Sequence, residues 1–248
     1  MKITKKLLIE IKKEDLSIIN DSGLNIILIK ETNSSEKYIC WNSYKPFQNQ
    51  MFSWEDDYYL YTSLNKVKNR NRINILSRIK CTPGVTYCFQ NNIFEVINNE
   101  SNNQSHIRVI NNNNQPYLTF GLGQMLNYNG DKGLILPINA SMIPNKFQAN
   151  FQDSGHVYIL LASDITKSQV FESFKANAYL IPLLLHNDFL KNKHSSRRYF
   201  LSLLALGSFL IMDQVHGRVI GPISRLDFNN KNLIKLHYHS KIGTFVPV

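Results

Sequence analysis

Cysteine is scarce in this chain. Only Cys40, Cys81 and Cys88 occur, an odd number without the paired spacing of a zinc ribbon, so neither a disulfide framework nor a structural zinc module is expected. A reducing compartment and buried, apolar-type thiols follow as the simpler reading. Long apolar runs are also missing. The longest, 199–212, contains Ser202, Gly207 and Ser208 and falls short of the roughly 20 residues that a spanning helix needs. At the amino terminus, Glu10, Lys12 and Lys13 interrupt the apolar residues before a signal-peptide core develops. The expected location is therefore cytoplasmic, or outside the cell by a route without a conventional signal peptide.

Several catalytic and cofactor signatures are absent as well. The glycines at 121 and 123 lack the third glycine and following helix of a dinucleotide loop, and no Gly-x-Ser-x-Gly elbow is present. No internal repeat and no flexible Gly/Ser linker divides the chain. No catalytic residue, cofactor or metal is expected from these patterns.

What the chain does contain is a composition that folds. Its 248 residues are 43% hydrophobic and 19% charged, enough to bury a core without covalent staples. The net charge of +10 favours anionic partners in general: nucleic acid, lipid headgroups or acidic glycans. Its lysines and arginines are scattered over the N-terminal segment, 66–80 and 191–198 rather than gathered in one tail. Asparagine is unusually frequent, with a run at Asn111, Asn112, Asn113 and Asn114. Codon bias accounts for such enrichment without a mechanism.

Alternation of apolar and polar residues points to strands. The pattern is clear at 3–11, and further strands are expected at 24–30, 73–81, 85–97, 106–110, 134–138, 157–162, 178–185, 218–226 and 233–239. Three more strands are expected to share the aromatic-rich interval 37–63. A short helix is expected over 14–22, with acidic residues early and Gly23 to end it. Thr82-Pro83-Gly84 reads as the turn of a hairpin, Asn129-Gly130-Asp131 as a tight turn, and 111–115 as a mobile loop. The apolar stretch 199–212 fits a buried strand pair bent at Gly207, or a buried helix, the strand being preferred. The fold class is thus mainly β: an antiparallel sandwich or distorted barrel with one short N-terminal helix. It is expected as a single unit, with a subdivision into closely packed halves, 1–145 and 155–248, as an alternative.

Five constellations carry chemistry in principle. His237 and His239 share one face of a strand, a spacing that suits two metal ligands but supplies no third. Glu55, Asp56 and Asp57 follow Trp54 and read as a solvated loop rather than an acid–base pair. Asp213 to Arg218 brings His216 beside Arg218, a guanidinium able to fork onto a carboxylate or phosphate, although a turn explains the same residues. Lys66, Lys68, Arg70, Arg72, Arg78 and Lys80 could neutralise phosphates, without any recognised nucleic-acid module. Trp41, Trp54, Tyr58 and Tyr59 could stack on sugar rings while neighbouring amides bind hydroxyls, or could fill a core or an oligomer interface.

The resulting expectation is a basic, non-enzymatic binding or self-assembling protein. Its aromatic and polar loops would meet a glycan, an anionic surface or another protomer of a homo-oligomer. The candidate ligand-binding residues are Trp41, Trp54, Tyr58, Tyr59, His216 and Arg218. Two alternatives remain: a membrane-active, toxin-like β protein that would use 199–212, and a nucleic-acid-binding protein.

Overall fold

The computed structural model of the chain describes residues 3–33, 37–99, 105–172 and 219–248. The strand expected at 178–185, the apolar stretch 199–212 and the cluster 213–218, with His216 and Arg218, lie outside the described residues.

Nineteen strands and one helix follow in chain order among those residues. They are β1 (Thr4–Glu10), α1 (Lys13–Asp21), β2 (Asn25–Thr32), β3 (Lys37–Tyr44), β4 (Asn49–Glu55), β5 (Tyr58–Ser63) and β6 (Ser77–Cys81). Next come β7 (Val85–Gln90), β8 (Ile93–Asn99), β9 (Ile107–Asn111), β10 (Tyr117–Met125), β11 (Asn127–Tyr128), β12 (Ile135–Pro137) and β13 (Ser141–Pro144). The last are β14 (Gln148–Phe151), β15 (Asp153–Ala162), β16 (Val170–Glu172), β17 (Val219–Asp227), β18 (Leu233–His239) and β19 (Thr244–Pro247).

These strands form four sheets: β11-β4-β1-β18-β19, β12-β10-β5-β6 with β13 also on β10, β14-β9-β7-β8, and β16-β3-β2-β15-β17. The fold is mainly β, with packed, largely antiparallel sheets that do not close into a barrel among the described residues. Two pairings run parallel, β1 with β18 and β7 with β9. β1 and β18 are far apart in sequence and β7 and β9 are separated by all of β8, so neither pair is joined by a tight turn. Partners from late in the chain complete early strands: β18 lies on β1, β15 on β2 and β16 on β3.

β2 shows how sequence selects position. Its run Ile26-Ile27-Leu28-Ile29 is apolar on both faces, as a strand with partners on each side requires. Ile26 and Leu28 enter the main core, while Ile27 and Ile29 enter a second cluster on the opposite face. β15 divides in the same way, with Val157, Ile159 and Leu161 on the main side and Tyr158, Leu160 and Ala162 on the other. The main core also gathers Trp41, Phe52, Trp54, Phe120, Phe228 and Phe245 from several sheets.

The helix begins with Glu14 and Asp15 in its first turn, where carboxylates suit the helix dipole. It ends at Gly23, whose φ of +67° lets the Ser22, Gly23 and Leu24 amides reach back to Ile18, Asn20 and Ile19.

Several local expectations are corrected. Thr82-Pro83-Gly84 does not close a hairpin, because β6 pairs with β5 while β7 pairs with β8 and β9. The interval 85–97 is itself a hairpin, turned at Asn91 and Asn92 with φ of 50° and 64°. Such a turn needs two left-handed residues, which Asn tolerates better than most. Only the second half of 73–81 is strand. The backbone N–H of Asn74 is instead held by the Asn65 side chain at 2.9 Å.

The asparagine run is built into the structure. Asn111 is fully buried and donates to the Ile143 carbonyl at 2.8 Å, and Asn113 donates to Asn92 at 3.0 Å. Gly121 also has a packing reason: a Cβ there would lie 2.1 Å from the Asn139 carbonyl oxygen.

Candidate functional site

A cleft of about 520 Å³ opens where β3, the β11–β12 connection and the segment after β15 meet. Tyr44 at the end of β3 and Tyr128 in β11 stand side by side in its wall, their rings stacked at 4.5 Å and 21°. Both pack on the buried Phe52 beneath, at 5.0 and 5.3 Å. Asn42 donates to the Tyr44 hydroxyl at 2.8 Å, and Gln50 donates to the Tyr128 hydroxyl at 3.0 Å. Burial, with Tyr128 adjacent, pushes the Tyr44 phenol up to about 12, so it stays neutral at physiological pH.

Local sequence explains this wall. Tyr128 lies opposite Phe52 in the β11/β4 ladder, and the turn at Asn129-Gly130 follows it with φ of 48° and 92°. Asn129 ties that turn down, accepting from the Met51 amide at 2.8 Å through its side chain. Gly133 continues the wall, and a Cβ there would lie 1.6 Å from the Leu126 carbonyl oxygen. Asn25, Asn42 and Thr166 add amide and hydroxyl groups, and Asp131, Lys132 and Lys167 bring charge.

The aromatic residues singled out in the sequence take other positions. Trp41 and Trp54 have no exposed surface and pack edge to face at 5.4 Å. Neither offers a ring face to a sugar. Tyr58 is half-buried and donates to Asp153 at 2.8 Å. Tyr59 is half-buried on β5, opposite Lys80 and Gly123. His216 and Arg218 lie outside the described residues.

Tyr44 belongs to the same aromatic-rich interval and Tyr128 directly precedes an Asn-Gly turn. Those two local signals mark the cleft, although nothing in the sequence brings them together.

Below the two tryptophans lies a buried ion pair. Lys30 on β2 contacts Asp153 at 2.5 Å, with side-chain exposures of 1% and 5%, and its ammonium sits 5.4 and 5.6 Å from the Trp41 and Trp54 rings. Burial alone would raise the Asp153 carboxyl. The Lys30 charge and hydrogen bonds from Lys30, Tyr58 and the Gly155 amide outweigh burial and hold it below its ordinary value.

A second polar cluster occupies the other face, where Ser154, His156, Glu31 and Asp227 meet. His156 Nδ1 lies 3.2 Å from both Ser154 Oγ and Glu31 Oε2, and its Nε2 lies 3.8 Å from Asp227. The order is serine, histidine, acid, but the Ser154 hydroxyl is shared with Glu31. Its single proton has Glu31 acceptors at 2.9 Å on the carbonyl and 3.2 Å on the carboxylate, whereas base catalysis requires it to face the imidazole.

Several of the remaining candidates are tied into structure. Asp56 pairs with Lys5 at 2.8 Å and Asp57 with Lys80 at 2.9 Å, so the acidic trio is not a facing carboxylate pair. In the basic stretch, Arg72 donates to Thr166 at 2.9 Å and Lys66 sits over Tyr117 at 5.3 Å. The His237 and His239 rings are 6.1 Å apart, and no group of three metal-binding side chains occurs among the described residues. Cys40, Cys81 and Cys88 are free and buried, and burial raises each thiol, Cys81 to about 12. No helix among the described residues is long and apolar enough to cross a membrane. No family model, curated protein or solved structure matches the chain.

Proposed function

We propose that this protein binds a carbohydrate in the Tyr44–Tyr128 cleft, without catalysing a reaction on it. The observation that carries the reading is the stacked tyrosine pair, its phenols held by Asn42 and Gln50, beside the amide of Asn25. A sugar ring has apolar C–H faces and a rim of hydroxyls. It therefore suits a wall that combines aromatic surface with fixed hydrogen-bonding groups. The cleft volume of about 520 Å³ lies inside the range of small-ligand sites, roughly 300–1,000 Å³.

Hydrogen bonds from Asn42 and Gln50 fix the two phenol oxygens before a ligand arrives. Pre-set groups lose less conformational freedom on binding, which supports affinity in a shallow site.

The test is a glycan array followed by calorimetric titration of the strongest hit. Tyr128→Ala removes half of the aromatic wall and should weaken that hit about 30-fold, the scale of a binding hot spot. Asn25→Ala, a smaller change, should weaken it a few-fold while leaving the unfolding midpoint near that of the parent. An array with no hit, or a hit that neither substitution weakens, rejects the reading.

A further inference from the structure

We propose, building on the carbohydrate reading of this cleft, that its ligand is an acidic saccharide carrying a carboxylate or sulfate. The argument rests on how the charged groups are held. Lys132 and Lys167 reach the cleft from two separate turns, and both are exposed. Neither ammonium makes an ion pair or hydrogen bond among the described residues. Lys5, Lys30 and Lys80, by contrast, are neutralised by a carboxylate within 3.0 Å.

Asp131 is the one acidic residue in the described lining and is paired with neither lysine. The lining charge is therefore +2 from Lys132 and Lys167 and −1 from Asp131, a net positive wall.

The surroundings extend the same sign. Arg72 is bonded to Thr166 in the cleft wall and leads back to the basic loop containing Lys66, Lys68 and Arg70. A chain with net charge +10 draws anions toward such a region before contact. The tyrosine pair would then hold a sugar ring while the ammonium groups select the acid attached to it. A lysine is suited to this because it is a point charge that accepts a carboxylate or sulfate from several directions.

The experiment uses the full chain and a printed array of matched disaccharides. Glucose, galactose and N-acetylglucosamine backbones each appear in neutral, uronate and sulfated forms, and the best matched set is titrated in solution. The acidic form should bind about tenfold more tightly than its neutral counterpart, a difference that shrinks at 1 M NaCl. Lys132→Gln with Lys167→Gln should abolish that preference while neutral binding persists. Asp131→Asn should widen it about threefold, which a merely unfolded variant cannot do. Equal binding of neutral and acidic forms overturns this proposal and leaves the carbohydrate reading standing. So does a preference unchanged by the lysine substitutions. Binding of neither form overturns both.

Discussion

Lys30 and Glu31 are consecutive on β2, yet they face opposite sides of the sheet and live in different electrostatic surroundings. Lys30 points to the main core, where its partner Asp153 is 5% exposed. Glu31 points outward to Arg225, which contacts it at 2.6 Å and is 48% exposed, and to Tyr158 at 2.7 Å. The inner attraction is barely screened, but both ions have lost their water. The outer attraction is weakened by solvent, and its partners lose little hydration. The Glu31 carboxyl is nevertheless held below its ordinary value. Burial opposes this, and the Tyr158 hydrogen bond together with Arg225 overcomes it.

The pairing also bears on register. A one-residue slip of β2 would turn Glu31 toward Asp153, two like charges in the core, and would send Lys30 to Arg225 outside. The inner pair thus opposes misregistration.

Removing one inner partner should give the largest effect. Asp153→Ala leaves Lys30 charged and unpaired under two indole rings, and should cost about 3–5 kcal/mol in urea unfolding. Replacing both, Lys30→Met with Asp153→Leu, should recover most of that loss, because two apolar side chains need no compensation.

The acid limb gives a second signature. The Asp153 carboxyl is depressed in the folded chain, so its contribution is complete above the unfolded value of about 3.9 and fades as pH falls through the lower folded value. Stability of the parent should therefore decline below about pH 4 more steeply than that of Asp153→Ala. Parallel curves would show that the ion pair is not what holds this carboxyl.

Tyr58→Phe comes next. It removes the 2.8 Å donor to Asp153 but keeps the ring, and Lys30 and the Gly155 amide still serve the carboxylate. The expected cost is about 1–2 kcal/mol, read from the same unfolding curves. Burial first, then the neighbouring Asp153, pushes the Tyr58 phenol far above its ordinary value, so it remains a donor throughout the accessible pH range.

The contrast at β2 was half legible in sequence. The interval 24–30 was legible as a strand, and in a strand Lys30 shares the face of Leu28. What alternation could not supply was the partner, since Asp153 lies 123 residues further on. Asp153 shares the parity of Val157, and an irregularity between the two places it opposite Thr32, two positions nearer Lys30 than an unbroken ladder would. Gly155 makes that possible with a φ of +77°.

The candidate cleft was hidden for a related reason. Aromatic density at 38–61 marked a region rich in binding-type residues, but density alone does not separate Trp41, which is buried, from Tyr44, which lines the cleft. That separation depends on which strand covers each face, and β11 is supplied from some 80 residues away. Short-range turn chemistry was legible where the turn closes on itself. At Asn129-Gly130, Tyr128 bridges Asp131 directly, whereas Thr82-Pro83-Gly84 passes between strands that do not pair with each other.

The smallest expected effect is the one that sharpens the comparison. Arg225→Met keeps the aliphatic stem and removes the guanidinium from Glu31, which retains Tyr158 and His156 within 3.2 Å. With Arg225 half exposed, the cost should not exceed about 1 kcal/mol, and it should fall further at 1 M salt, where the screening length is roughly 3 Å. The Asp153→Ala penalty should hardly respond to the same salt, because ions do not enter the core. A salt response shared by both variants would place the inner pair within reach of solvent and remove the distinction between the two faces of β2.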